Sequence, residues 1–425
     1  MNNKRFIFLC AGMLVCCFGI SSGGSRVLEW DDLKEYALSE NSEIMRAYES
    51  LHQARLSYRS SAYEFRPDFT LSAHSGFETG GDSRTSLDIS AGYDFTLFRG
   101  GRARSGLLIS SYRLEAETLR YESRLRSVLY RLRLDFGEVL RAREEVEVTR
   151  DRLRRVRSNL EIVELRYEAG REDRGALMRS EADIAREEHN LSVARRRLEK
   201  ALADLFITAG IDPPDGTEVE GTLETGAVPE EENFSAYAVS HPDYLAEIYS
   251  HKVALQEVES ARGTLYPALT FSARAGRSGT DPVFGDSSWN AGVSLRFPFF
   301  SSGRDLRALD MAESRERVAR RGLEDTARDL ENDIREAYLD YTDAAENLEV
   351  VKMYYEASRE RARIAVEKYL NGLISYYEWD SIERDLMNAG SSLTAARSRL
   401  YAAAARWEMY TGDSAHARQE NKEGD

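Results

Sequence analysis

Four stretches of the chain alternate apolar and polar residues with a period of two. In the first, Phe69, Leu71, Ala73 and Phe77 alternate with Thr70, Ser72, His74 and Glu78. In the second, Leu87, Ile89, Ala91, Tyr93, Phe95 and Leu97 alternate with Ser86, Asp88, Ser90, Gly92, Asp94 and Thr96. The third sets Leu269, Phe271, Ala273 and Ala275 against Thr270, Ser272, Arg274 and Gly276. The fourth sets Trp289, Ala291, Val293, Leu295 and Phe297 against Ser288, Asn290, Gly292, Ser294 and Arg296. This period predicts strands with one apolar and one polar face. Each runs to about ten residues, the length a tilted strand needs to cross a bilayer.

Almost everything else has a helical period. Residues 30–64 and 236–263 read as helices ended by Pro67 and Pro267, because the residue before a proline is pushed out of the α region. A second, much longer pattern begins at Arg102 and again at Arg304. In the latter, Leu323, Leu330, Ala337, Ala344 and Val351 hold one seam position, and Ala327, Ile334, Tyr341, Leu348 and Tyr355 the other. Spacings of four and three are the coiled-coil period. From Arg304 to Tyr369 such a helix spans about 100 Å at 1.5 Å per residue. Breaks at Ala169-Gly170 and Asn371-Gly372 precede a final helix of about three dozen residues in each half.

The chain is written twice. Pro67 is echoed by Pro267, an offset of 267 − 67 = 200. Gly101-Arg102 is echoed by Gly303-Arg304, and Tyr167-Glu168-Ala169-Gly170 by Tyr369-Leu370-Asn371-Gly372, both at 202. Residues 25–210 and 234–412 therefore read as two copies of one helix, strand pair and helical hairpin. A Pro/Gly/Glu-rich linker at 211–233 joins them, and a polar tail at 413–425 is expected to be disordered.

Composition then fixes the compartment. Lys4 and Arg5, an apolar run from Phe6 to Ile20 and the small residues Ser21 to Ser25 read as a signal peptide over 1–24. All three cysteines, Cys10, Cys16 and Cys17, fall within it, so the rest of the chain has no disulfide framework. Cys17 stands where a lipoprotein would carry its acylated residue, but Leu14-Val15-Cys16 departs from the usual small-residue box. The cysteines read as apolar filler of the leader. No later stretch approaches the roughly 20 apolar residues of a transmembrane helix, so any membrane crossing is made by strands. Aromatics crowd the strand ends, as in the girdles of membrane barrels. The charged Asp88, Asp94, Arg274 and Arg296 fall on the polar face and suit a wet lumen. Four strands cannot close in lipid, so closure requires further copies of the chain. Two copies supply eight strands and three supply twelve. The pattern itself does not count them.

A formal net charge of −15 argues against a nucleic-acid partner. No catalytic, cofactor or metal motif is present: His189 follows Glu187-Glu188 without a second ligand at i+4, and there is no phosphate loop or nucleophile elbow. His241-Pro242-Asp243, the tripeptide of J-domain co-chaperones, stands at the start of a helix. Arg195-Arg196-Arg197 reads as a solvated helix face. The heptads by themselves also fit a structural or adhesive coiled-coil protein, and the strands alone an uptake pore.

The duplicated unit, Asn41-Ser42-Glu43-Ile44 and His241-Pro242-Asp243-Tyr244, the strand–Gly-Arg–helix junctions and the Tyr-x-x-Gly turns together resemble the TolC-type outer-membrane efflux and secretion channels over residues 28–412. The resemblance implies a mainly α fold with membrane β: a long helical coiled-coil barrel carrying a shared transmembrane barrel, four strands per protomer. It implies a homotrimer in outer-membrane lipid whose helical portion crosses the periplasm. Residues 211–233 would belong to an equatorial belt. The partners implied are a periplasmic adaptor (membrane fusion) protein and an inner-membrane pump of RND or ABC type, with no cofactor. Tyr369 and Glu378 would line the periplasmic aperture. Tyr167, Gly170, Arg174, Leu177, Gly372, Leu373 and Tyr377 would form the hairpin tips that meet the adaptor. Two positions depart from the family pattern: Ile374 stands where a basic gating partner is expected and Ser381 where an acid is, although Asp380 is adjacent.

Overall fold

The computed structural model describes residues 27–78, 84–212, 216–229, 233–280 and 285–412. The leader and the tail lie outside them. In chain order the elements are β1 (Val27–Leu28), α1 (Trp30–Glu40), α2 (Ser42–Ala62), β2 (Asp68–Glu78), β3 (Arg84–Arg99), α3 (Arg102–Glu168) and α4 (Arg174–Ala209). They continue as β4 (Glu218–Val219), α5 (Phe234–Ser240), α6 (Pro242–Gly263), β5 (Ala268–Thr280), β6 (Asp286–Arg296), α7 (Arg304–Leu370) and α8 (Tyr376–Thr411). The order helix, strand pair, long helix, short helix occurs twice, and α3 and α7 are both 67 residues long.

All four alternating segments are strands of one antiparallel sheet, ordered β2-β3-β5-β6. Asp68 pairs with Asp94, Asp94 with Ser272, and Ser272 with Gly292, so even-numbered positions share one face on every strand, up to a register shift after Thr96 that sets Phe98 opposite Leu269. That face carries Thr70, Ser72, Ser90, Asp94, Thr270, Arg274, Asn290 and Arg296. The odd face carries Phe69, Leu71, Ile89, Tyr93, Phe271, Val293 and Leu295. Much of it is bare, with Leu71 81% and Trp289 82% exposed. The outer edges of β2 and β6 pair with nothing among the described residues.

The heptad of α7 is its packed stripe: Leu330, Ile334, Ala337, Tyr341 and Leu348 are buried, and the other five seam residues are half-buried. α3 and α7 fold back on α4 and α8 as hairpins, with α6 packed against both long helices. One core cluster, with Leu33, Leu132, Phe136, Val139 and Leu205, lies along α1, α3 and α4. Fully burying such a side chain contributes about 1.5–3 kcal/mol.

Two expectations are corrected. The helical stretch 30–64 breaks at Asn41, and 236–263 starts earlier, at Phe234, and breaks at His241. The Asn41 side chain accepts from the amides of Glu43 and Ile44 and so caps α2. His241 Nδ1 accepts from the Asp243 amide at the start of α6. The described part of the 211–233 linker is held down at two places. β4 pairs in parallel with β1, and Arg143 donates to the Val219 carbonyl. Tyr341 donates to the Gly226 carbonyl. The segment thus ties the start of the chain to both long helices.

Candidate functional site at the hairpin ends

α3 and α7 end in the same turn. Gly170 and Gly372 adopt φ of +67° and +75°, a conformation that glycine takes without steric cost. The Arg171 amide donates to the Arg166 carbonyl and that of Gly170 to Tyr167, with Leu373 to Lys368 and Gly372 to Tyr369 in the second hairpin. Each turn leads into a capped helix: Asp173 accepts from the Ala176 amide, and Ser375 from the Glu378 amide. These four positions keep the 202-residue offset.

The side chains around the turns do not keep it. Tyr167 is 39% exposed, whereas Tyr369, its repeat partner, is fully buried. The Tyr369 ring stacks on Trp379 with centroids 4.4 Å apart. The Arg166 guanidinium lies 4.5 Å from the ring centroid on the same tyrosine. The phenol donates to Glu172 Oε2 at 2.7 Å. Arg166 also donates to the Tyr369 carbonyl at 2.7 Å, placing a cation at the negative end of the α7 dipole. Burial first, then the Glu172 hydrogen bond and charge, raise the Tyr369 hydroxyl above its ordinary value, so it remains a donor. This ring is thus one of the junctions between the two hairpin ends.

Behind it, α4 faces α8 across a charged seam. Asp183, Glu187 and Glu383 are buried. Arg186 pairs with Asp183 at 2.9 Å, Arg384 with Asp380 at 2.8 Å and Arg155 with Glu383 at 3.2 Å. Burial pushes the Asp380 carboxyl up, Arg384 opposes this, and Asp183 adds to it. Ser180 and Tyr376 share a hydrogen bond at 3.0 Å. Among the described residues no group of acids, histidines or cysteines is arranged to hold a metal ion.

Glu378 is exposed in the first turn of α8. Arg174, Leu373 and Tyr377 are exposed as well, and Leu177 is half-buried against the tip cluster. Asp88, Asp94, Arg274 and Arg296 share the polar face of the sheet, far along the chain from these turns. Sequence reading missed Arg166, Glu172 and Trp379. The repeat carried a signal for each. Arg166 matches Lys368 as a cation in the last turn, Trp379 matches Leu177 as an apolar tip residue, and Glu172 stands opposite Ile374.

The chain is 23% identical to the probable outer membrane lipoprotein SilC of Salmonella typhimurium, over 82% of this chain and 78% of that one. It is 22% identical to the alkaline protease secretion protein AprF of Pseudomonas aeruginosa, over 93% and 84%. Its fold matches a crystal structure of CusC with a TM-score of 0.83 at 16% identity, covering 91% of this chain and 92% of that one. The model of the outer membrane efflux proteins matches twice, at residues 33–210 and 235–413, in step with the two halves of the repeat. Together these matches cover most of the chain, including both strand pairs and both helical hairpins, and the chain belongs to the outer membrane efflux protein family.

Proposed function

We propose that this chain is one subunit of a trimeric export duct, passive in itself, that carries small molecules or secreted proteins across the periplasm and outer membrane. The observation that carries this reading is the sheet. Its four strands separate a polar from an apolar face, with one register shift between Thr96 and Phe98 near the end of β3, and among the described residues both outer edges are unpaired. Unpaired backbone groups in lipid cost several kcal/mol each, about as much as a lost hydrogen bond in an apolar medium, so the edges require further copies. Three copies supply twelve strands, enough for a pore, with Asp88, Asp94, Arg274 and Arg296 facing water and the odd face in outer-membrane lipid.

The hairpin ends are the periplasmic aperture in this reading. Tyr369 closes it from within each subunit through Glu172 and Arg166, and Glu378 faces the mouth. The exposed Tyr167, Arg174, Leu373 and Tyr377, with Gly170, Gly372 and Leu177 shaping the turns, meet a periplasmic adaptor and through it an inner-membrane pump of RND or ABC type. Energy and substrate choice lie with the pump, and the chain performs no catalysis. Family membership and the relative named for alkaline protease secretion support export over a structural coiled coil.

Purified protein in detergent, run unheated and heated on an SDS gel and then reconstituted in planar bilayers, tests the reading. The expected result is a heat-sensitive trimer with small, stable conductance. A monomer that partitions with the soluble fraction would overturn it.

A further inference from the structure

Among the described residues the odd face of the sheet carries a single charge, Arg277 of β5. Arg99, beyond the register shift, lies opposite Ala268 and so falls on the even face. β5 starts beside the helices at Ala268, and Arg277 is its tenth residue. A strand tilted by about 45° crosses the hydrocarbon in about 9–11 residues. From Arg277 back toward the helices the odd positions of β5 and β6 are all apolar, from Ala275 to Leu269 and from Trp289 to Leu295. An arginine is tolerated on a lipid-facing surface only near an interface. Arg277 therefore marks the level at which the odd face leaves the hydrocarbon, at the end of the sheet away from the helices.

Ser287 stands directly opposite Arg277, and Trp289 is the next odd residue on the same strand. Opposed Cβ atoms are about 4.5–5.5 Å apart and diagonal ones about 7–8 Å, distances that arginine and tryptophan side chains span. All three residues are exposed, Trp289 to 82%. Guanidinium, hydroxyl and indole N–H make three kinds of donor, and Ile89, on the other side of Arg277, supplies no acceptor. The group occurs once per chain. The repeat offsets put Phe77, Thr85 and Leu87 at the same three places, with Phe77 opposite Thr85 as Arg277 is opposite Ser287. The first hairpin thus keeps the geometry and lacks the cation and the indole.

We propose that Arg277, Ser287 and Trp289 bind a phosphate group of the glycolipid in the outer leaflet of the outer membrane. This rests on the reading in which the odd face lies in outer-membrane lipid, and adds to it the lipid and the residues that hold it. In that reading the helices mark the periplasmic side, so the far end of β5 and β6 reaches the outer leaflet. The guanidinium fork matches phosphate oxygens and forms charge-assisted hydrogen bonds with them. Tryptophan sits at such interfaces with its ring in the apolar layer and its N–H toward the headgroups. The apolar residues nearer the helices take the acyl chains, which a free phosphate ion lacks.

Native mass spectrometry of the detergent-purified oligomer, titrated with bisphosphorylated lipid A, tests the assignment. Arg277→Gln removes the charge from the odd face, and Arg274→Gln removes one from the even face of the same strand. Arg277→Gln is expected to bind lipid A about tenfold more weakly than the parent, and Arg274→Gln as well as the parent. Arg277→Lys, which keeps the charge without the fork, is expected to fall between. Lipid A stripped of its phosphates should bind the parent no better than intact lipid A binds Arg277→Gln, a comparison that does not depend on a variant's folding being perfect. Equal affinity of the parent for lipid A with and without phosphates, an equal loss in Arg274→Gln, or displacement by millimolar inorganic phosphate would overturn the site. The duct reading would stand in each case as long as the parent runs as a heat-sensitive oligomer. A parent chain that runs as a soluble monomer would overturn both.

Discussion

The hydroxyl of Tyr369 donates to Glu172 across 2.7 Å, joining residues 197 positions apart at the ends of two different hairpins. Tyr167 has the same place in the first repeat but is 39% exposed. The duplicated turn thus serves two ends: one tyrosine is locked inward and the other is left at the surface. Tyr369→Phe keeps the ring between Trp379 and Arg166 but leaves Glu172 without its donor. The expected loss is about 1–2 kcal/mol of tip stability. In planar bilayers the variant should open more readily than the parent, and Glu172→Gln, which keeps an acceptor, should fall between them. Equal conductance in all three proteins would detach this bond from the aperture.

Gly372 and Gly210 have nearly the same φ, +75° and +76°, in different surroundings. No atom lies within 4 Å of where a Cβ on Gly372 would point, whereas one on Gly210 would lie 2.8 Å from the Glu40 carbonyl carbon and oxygen. Gly372→Ala should cost about 1 kcal/mol, from the left-handed backbone alone. Gly210→Ala adds a backbone collision at the α1–α2 junction and should cost about 2–3 kcal/mol. Thermal unfolding followed by circular dichroism would rank them, and an equal shift in Tm would contradict the difference in packing.

Asn41 has two roles, capping α2 and donating through Nδ2 to the Thr208 carbonyl at 2.7 Å. Asn41→Asp keeps the cap acceptor and removes the donor, and should cost about 1 kcal/mol. Asn41→Ala removes both and should cost about 2 kcal/mol. The counterpart pair in the second repeat, His241 and Tyr410, meets as rings 5.9 Å apart, so the junction keeps its place while changing its chemistry. Equal Tm values for the two Asn41 variants would remove the Thr208 contact from this account.

The fold was legible because its signals are periodic. The alternation of Leu87 to Leu97 and the heptad from Leu323 to Tyr355 each repeat a physical requirement many times, so single exceptions do not hide them. The long helices run within a residue or so of the expected bounds, Arg102–Glu168 and Arg304–Leu370. The breaks at Asn41 and His241 were harder to place, because a single cap residue weighs little against two turns of helical pattern. The tip was legible as a place and illegible as a constellation. Tyr369 was singled out, but Arg166, Glu172 and Trp379 come together through the packing of one hairpin on another, which no local spacing encodes. The clasp of the 211–233 segment on Val27-Leu28 escaped for the same reason: two-residue strands carry no period.

Glu43 near the start of α2 is gripped from α3 by Arg124 and Arg131, each at 2.9 Å. Burial pushes its carboxyl up, but the Arg131 hydrogen bond and charge, followed by those of Arg124, outweigh it and hold the group below its usual 4.5. A carboxyl whose value is depressed by folding adds stability above its unfolded value and loses it as pH falls through the folded one. The α2–α3 contact should therefore be firm at neutral pH and weaken as pH drops below 4.5. Both arginines are about half exposed, with relative side-chain accessibilities of 51% and 52%, so solvent screens the pair. Glu43→Gln should cost about 1 kcal/mol at neutral pH and low salt. The difference from the parent should narrow in molar salt and vanish in acid. Unfolding curves for both proteins at several pH values would check the sign. A penalty that grew as the pH was lowered would mean that the carboxylate is not held by these arginines.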